Sequence, residues 1–165
     1  MNAIFNRHSI RKYKDIPVES EKIKLLLTAA MSAPSACNQQ PWEFYVVTDI
    51  KQLEEISKCS PFAKFVKNAP LAIIPCYKVN GLRAADFVLQ DMSACTENIL
   101  IEAVNLGLGA VWMGIAPIEK RQQKLIYALN IPAGLLPFSI VSVGYSDEKL
   151  EVCDLRYNAD LVHYY

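Results

Sequence analysis

Apolar residues fall at Ile23, Leu26, Leu27, Ala30 and Met31, the spacing of one helix face, and predict a helix over 18–31. The helix has to stop within SAPSACNQQPW. There Pro34 and Pro41 lack an amide hydrogen and push the residue before them out of helical geometry. Residues 43–48 (EFYVVT) and 71–77 are rich in β-branched and aromatic side chains and read as strands, with a surface helix, IKQLEEISK, after Asp49. From Arg83 to Leu106 the chain has neither Pro nor Gly. Phe87, Met92, Cys95, Ile99, Ala103 and Leu106 form its main apolar stripe, which Leu89, Leu100, Ile101 and Val104 widen around most of the circumference. At ~1.5 Å per residue this is a helix on the order of 35 Å long with little surface for solvent. Gly107 and Gly109 end it; 110–113 reads as a strand, 118–129 as a helix and 138–144 (FSIVSVG) as a strand. Helices separate most strands, so the expected fold is α+β or α/β, a single domain over 1–165 with one mixed sheet covered by helices.

Composition narrows the partners. The 165 residues are 52% hydrophobic and 21% charged, enough apolar material to offset chain entropy. Seventeen Lys+Arg balance seventeen Asp+Glu, so no global field holds nucleic acid or an anionic membrane, and any bound anion needs a local cluster. Cys37, Cys59, Cys76, Cys95 and Cys153 have neither metal-knuckle nor C-x-x-C spacing. The start, MNAIFNRHSIRKYK, has no apolar signal core, and no run is long enough to span a bilayer; a cytoplasmic protein is expected. Leu161, Val162, Tyr164 and Tyr165 make an unusually apolar end, expected to dock on its own core or on a second chain.

Three segments offer chemistry. RHSIR places Arg7, His8, Ser9 and Arg11 together, two guanidinium forks suited to phosphate oxygens, although taken alone a solvated basic surface explains it better. The loop Pro34, Ser35, Ala36, Cys37, Asn38, Gln39, Gln40 combines small residues with amides and could line a flat heterocycle, although taken alone an ordinary polar loop between prolines explains it somewhat better. GLGAVWMGIAP is not the dinucleotide G-x-G-x-x-G motif, but Gly114 just past a strand could leave backbone amides facing a ligand. Nothing beside Cys37 activates it as a nucleophile. Glu54, Glu55, Asp147 and Glu148 read as solvation, and Asp91 and Glu97 as rim or buried, paired positions without a catalytic role.

Taken in order, RHSIRKY, AAMSAPSACNQQPWEFYVV, LGLGAVWMGIAP and the strand ending in VGY resemble the short form of the FMN-dependent nitroreductase family over nearly the whole chain. The resemblance implies a homodimer built on its long helices, with terminal arms embracing the neighbour and two FMN sites at the interface. It implies that Arg7, Ser9 and Arg11 bind the flavin phosphate and ribityl chain, with His8 beside the ring. Pro34, Ser35, Ala36, Asn38 and Gln40 would reach FMN from the other subunit. Trp112, Met113, Gly114 and Ile115 would lie over the isoalloxazine, with the amide of Gly114 or Ile115 on its N5 side. Arg156 resembles a second phosphate-binding residue, beside Asp154 where many relatives carry a base. The implied activity is ping-pong electron transfer from NADH or NADPH to nitroaromatics, quinones or other flat acceptors, with no catalytic side chain and no metal. The alternative is a flavin-binding or flavin-cleaving relative without reductase turnover.

Overall fold

Alternation along five strands builds the protein outward from its sheet. In this computed structural model, residues 2–149 and 156–165 are described. The elements run α1 (Ala3–Asn6), α2 (Ser20–Met31), β1 (Trp42–Val47), α3 (Ile50–Ser57), β2 (Leu71–Lys78), α4 (Val88–Asn105), β3 (Gly109–Gly114), α5 (Glu119–Leu129), β4 (Leu135–Pro137) and β5 (Ser139–Gly144). The sheet order is β1-β2-β5-β3, with β4 continuing beside β2. Leu71, Ile73, Ala110, Val141 and Val143 pack on Leu26, Ala30, Met92, Cys95 and Ile99 of α2 and α4. Their neighbours Ala72, Ile74, Val111, Met113 and Ile140 pack on Leu53, Ile56 and Leu125 of α3 and α5. With both faces covered, β2 is buried from Leu71 to Cys76. Fully buried side chains such as Leu26 and Ile99 each contribute about 1.5–3 kcal/mol.

The sheet corrects one expectation. It is antiparallel at every described ladder rather than mixed. The helix α4 does connect two strands running the same way, β2 and β3, but β5 lies between them and pairs antiparallel with both. A single parallel bridge, Ser9 with Ala110, joins the N-terminal segment to β3. The β4–β5 run carries one extra residue: Phe138, Ser139 and Ile140 face Ile74 and Pro75 between the Ile73–Val141 and Cys76–Pro137 pairs. This bulge accommodates a proline in an interior strand, and the Phe138 amide donates to the Pro75 carbonyl at 2.8 Å.

The long helix begins at Val88, not at Arg83, after one turn of 3-10 helix at Ala85–Phe87. Ala84 cannot join it, because the Gln39 side chain holds that residue's N–H and C=O at 3.0 Å each. Along α4 only Gln90 and Asn105 are exposed, as the wide apolar stripe predicts. Among the described residues no helix is long and apolar enough to cross a membrane. Residues 156–165 are all exposed, so the apolar end does not dock on the core of its own chain.

Candidate functional site at the free edge of the sheet

The RHSIR segment lies along the edge strand β3. The Ile10 amide donates to the Ala110 carbonyl at 3.1 Å, and Ile10 itself is buried against Gly109. A Cβ on Gly109 would come within 2.6 Å of the Ile10 side chain, so glycine is what allows this approach. Glu148 fixes the register. Its Oε1 accepts from the amides of both Arg11 and Lys12 at 2.7 Å, a role beyond the solvation expected of it. Tyr13 completes the anchor, with its hydroxyl on the Ile10 carbonyl at 2.6 Å and on Ser142 Oγ at 2.7 Å. Burial pushes the Tyr13 phenol well above its ordinary range, against the opposing hydrogen bond from Ser142.

Beyond Ala110 the edge of β3 is open. The Ile115 amide points inward, donating to the Phe138 carbonyl at 3.1 Å, and the Ala110 carbonyl points outward to Ile10. Backbone groups alternate along an antiparallel strand, so the amides of Trp112 and Gly114 turn toward the open edge. Of the two amides the resemblance offered, geometry therefore selects Gly114 and commits Ile115 to the sheet. Gly114 is exposed, with open space where a side chain would stand. Arg11, Phe62, Phe65, Val111, Trp112, Met113 and Gly114 line a concavity of about 340 Å³ here. Met113 and Ile115 send their side chains into the core, so only their backbone borders the site. Trp112 is half-buried, its ring 5.5 Å from that of Phe138. Arg121 braces the strand end: its guanidinium donates to the Gly114 carbonyl at 2.9 Å and stacks over Phe62 at 5.4 Å.

The remaining basic groups sit nearby in sequence but differ in setting. Arg7 pairs with Glu97 of α4 at 3.6 Å, a partly exposed contact worth ~0–1 kcal/mol that a phosphate can displace. Arg11 is exposed, its Nη1 donating to the Ser9 carbonyl at 3.1 Å, and His8 Nδ1 lies 2.8 Å from the Asn6 carbonyl. Arg156 is exposed; Asp154 and Cys153 lie outside the described residues.

The amide-rich loop is elsewhere. Ala36–Asn38 form one 3-10 turn, and Cys37, Asn38 and Gln40 have φ of 51°, 51° and 44°, an uncommon run of left-handed residues without glycine. Ser35 Oγ accepts from the Gln40 amide at 3.0 Å, while Pro34, Asn38 and Gln40 are exposed. The loop leads into β1, three strand spacings from β3, on the order of 14 Å. Its anchor, Asp91, stands six residues before Glu97 on α4, about 9 Å along the axis and on another face. One chain thus holds the loop and the β3 edge apart. Sequence reasoning passed over Phe62 and Arg121, placed Gln39 in the loop without an anchoring role, and read Asp91 as a rim or buried, paired position and Glu148 as solvation. Their roles rest on contacts between residues distant in the chain, and no local pattern announces those.

The three buried cysteines among the described residues make poor nucleophiles. Burial raises the thiols of Cys59 to about 11 and of Cys76 and Cys95 to about 12. Cys37 is exposed.

A strand-edge amide, open space at a glycine, aromatic walls and adjacent guanidinium groups define a site for a flat, anionic ligand on an α/β/α sandwich. Comparison with known proteins gives the same class a name: the chain belongs to the nitroreductase family, whose sequence profile matches residues 4–60 and 58–145. It is 41% identical over 163 residues to a Methanothermobacter thermautotrophicus protein bearing the name NADH dehydrogenase/NAD(P)H nitroreductase, covering 99% of this chain and 85% of that one. Its fold matches an FMN-dependent nitroreductase from Clostridium difficile with a TM-score of 0.91 at 33% identity, over 99% of this chain and 97% of the other. A Desulfovibrio desulfuricans protein described as a nitroreductase in complex with FMN aligns with a TM-score of 0.85 at 28% identity, over 99% and 94% of the two chains.

Proposed function

We propose that the protein is an FMN-dependent oxidoreductase that uses NADH or NADPH to reduce nitroaromatics, quinones or similar flat acceptors. The observation that carries this reading is the outward Gly114 amide, standing in open space on the same strand edge as Arg11. The residues fit FMN. Arg7, Ser9 and Arg11 hold the phosphate and ribityl chain, His8 stands beside the ring, and Arg156 adds positive charge. The outward Gly114 amide would offer the ring a hydrogen-bond donor, and the Trp112–Ile115 backbone would border it. The chemistry such a group supplies when bound is two-electron transfer from the nicotinamide to the acceptor in two half-reactions, a ping-pong cycle. The protein contributes orientation, a shaped slot and exclusion of water, and no side chain acts as nucleophile or metal ligand.

The second wall comes from a second copy of the chain. Pro34, Ser35, Ala36, Asn38 and Gln40 lie too far from their own β3 edge to complete its site, and the exposed Ile4, Phe5, Leu161, Tyr164 and Tyr165 need cover. A homodimer that pairs the loop of one protomer with the edge of its partner satisfies both. The test is steady-state oxidation of NADH and NADPH by FMN-loaded protein with a nitroaromatic or a quinone. Parallel double-reciprocal lines are expected, together with loss of bound flavin in Arg11→Ala and, to a smaller degree, in Arg7→Ala. Stable flavin with no turnover on either donor would leave a flavin-binding relative without reductase activity.

A further inference from the structure

Asp91, the anchor of the 34–40 loop, is a carboxylate buried to 5% exposure in the first turn of α4. Its two oxygens face the strained loop. Oδ1 accepts the Ala36 amide at 2.8 Å and Oδ2 accepts Gln39 Nε2 at 2.6 Å. Gln39 in turn clasps Ala84 in both directions, Nε2 to its carbonyl and its amide to Oε1, each at 3.0 Å. These contacts bracket Cys37 and Asn38 and adjoin Gln40, three of the four described non-glycine residues with positive φ. Such conformations are unfavourable for residues with a side chain and persist only where the surroundings over-determine them. Apart from the Gln39–Ala84 pair and the short-range bonds within the turn, the described hydrogen bonds that tie Ala36 and Gln39 to the rest of the fold end on Asp91. A negative side chain is also well placed at a helix N-terminus.

We propose that Asp91 is a positioning residue of the flavin site, holding the 35–40 loop in the left-handed form that presents Ser35, Asn38 and Gln40 to the flavin held by the partner protomer. This rests on the flavin reading above. The geometry gives it a sharp polarity requirement. Gln39 cannot turn its amide over to suit a new neighbour, because that would set donor against donor and acceptor against acceptor at Ala84. Asp91→Asn therefore keeps size and the bond to Ala36 but sets a second NH2 group against Gln39 Nε2.

The experiment titrates FMN into flavin-free wild type, Asp91→Asn, Gln39→Glu and the double variant, following flavin fluorescence, and records the thermal midpoint of each flavin-free protein. Asp91→Asn is expected to weaken FMN binding about tenfold, the scale of one hydrogen bond to a charged group, with its thermal midpoint close to that of wild type. Gln39→Glu, which opposes two carboxylates, weakens it similarly. The double variant restores a donor facing an acceptor and recovers part of the affinity. Unchanged FMN affinity in Asp91→Asn would overturn the proposal. So would a loss of affinity matched by a large fall in thermal midpoint, which would make Asp91 a support of the fold alone. Failure of the wild type to bind FMN would instead overturn the flavin reading, and the proposal with it.

Discussion

At the scale of single residues, the proposed chemistry rests on backbone and charge rather than on reactive side chains. Gly114 offers an amide because the register of β3 on β5 turns it outward. Cys37 stands in the loop read as flavin-facing, exposed and left-handed. Because hydride transfer through a bound flavin needs no thiol, Cys37→Ser is expected to keep reduction of a quinone or nitroaromatic within a few-fold of wild type. Loss of turnover with unchanged FMN content would require a thiol step. Residue-level legibility was uneven. Arg7, Arg11 and Gly114 were visible as residue types in an ordered pattern. Asp91 and Glu148 were not, since an acidic side chain on a helix or in a turn looks the same whether it meets water or two distant amides.

At the scale of elements, periodicity reveals most of the architecture. The apolar spacing of α2, the wide stripe of α4 and the β-branched runs of β1, β2 and β5 each appear within a few residues of their places. What periodicity misses is where tertiary contacts overrule it. The helix start moves from 83 to 88 because Gln39 captures Ala84, and the sheet is antiparallel because β5 inserts between the strands that α4 connects. The short β4 escapes because a three-residue strand with a proline has no period to read. The contact between the N-terminal segment and β3 is the element-level feature on which the site depends. Gly109→Ala forces a methyl group to within 2.6 Å of Ile10 and is expected to destabilise the fold by about 1–3 kcal/mol, with weaker FMN retention. Thermal denaturation and flavin content measure both effects; an unchanged melting point would show that the segment yields without cost.

At the scale of the whole molecule, one chain keeps the two segments proposed as half-sites apart. The β3 edge with its arginines lies at one side of the sheet, and the amide loop enters from the other. Exposed apolar side chains, among them Phe5 at 59%, Leu161 at 78% and Tyr164 at 87%, accompany this division. The proposed dimer would place them under cover and join the half-sites, so removal of residues 161–165 is expected to shift the protein toward monomer and to release FMN together. Light scattering with flavin quantitation reads both. A truncated protein that stays dimeric and fully flavinylated would show that the end of the chain serves neither.

The most direct measurement is anaerobic. FMN-loaded protein is mixed with NADH or NADPH in the absence of oxygen while the flavin absorbance is followed, and a quinone is added afterwards. Bleaching by at least one nicotinamide, followed by full recovery on addition of the quinone, is the result expected if the Gly114 edge holds a flavin that cycles between donor and acceptor. Flavin that stays oxidised with both donors, in protein whose FMN is bound stoichiometrically, would contradict the reductase reading.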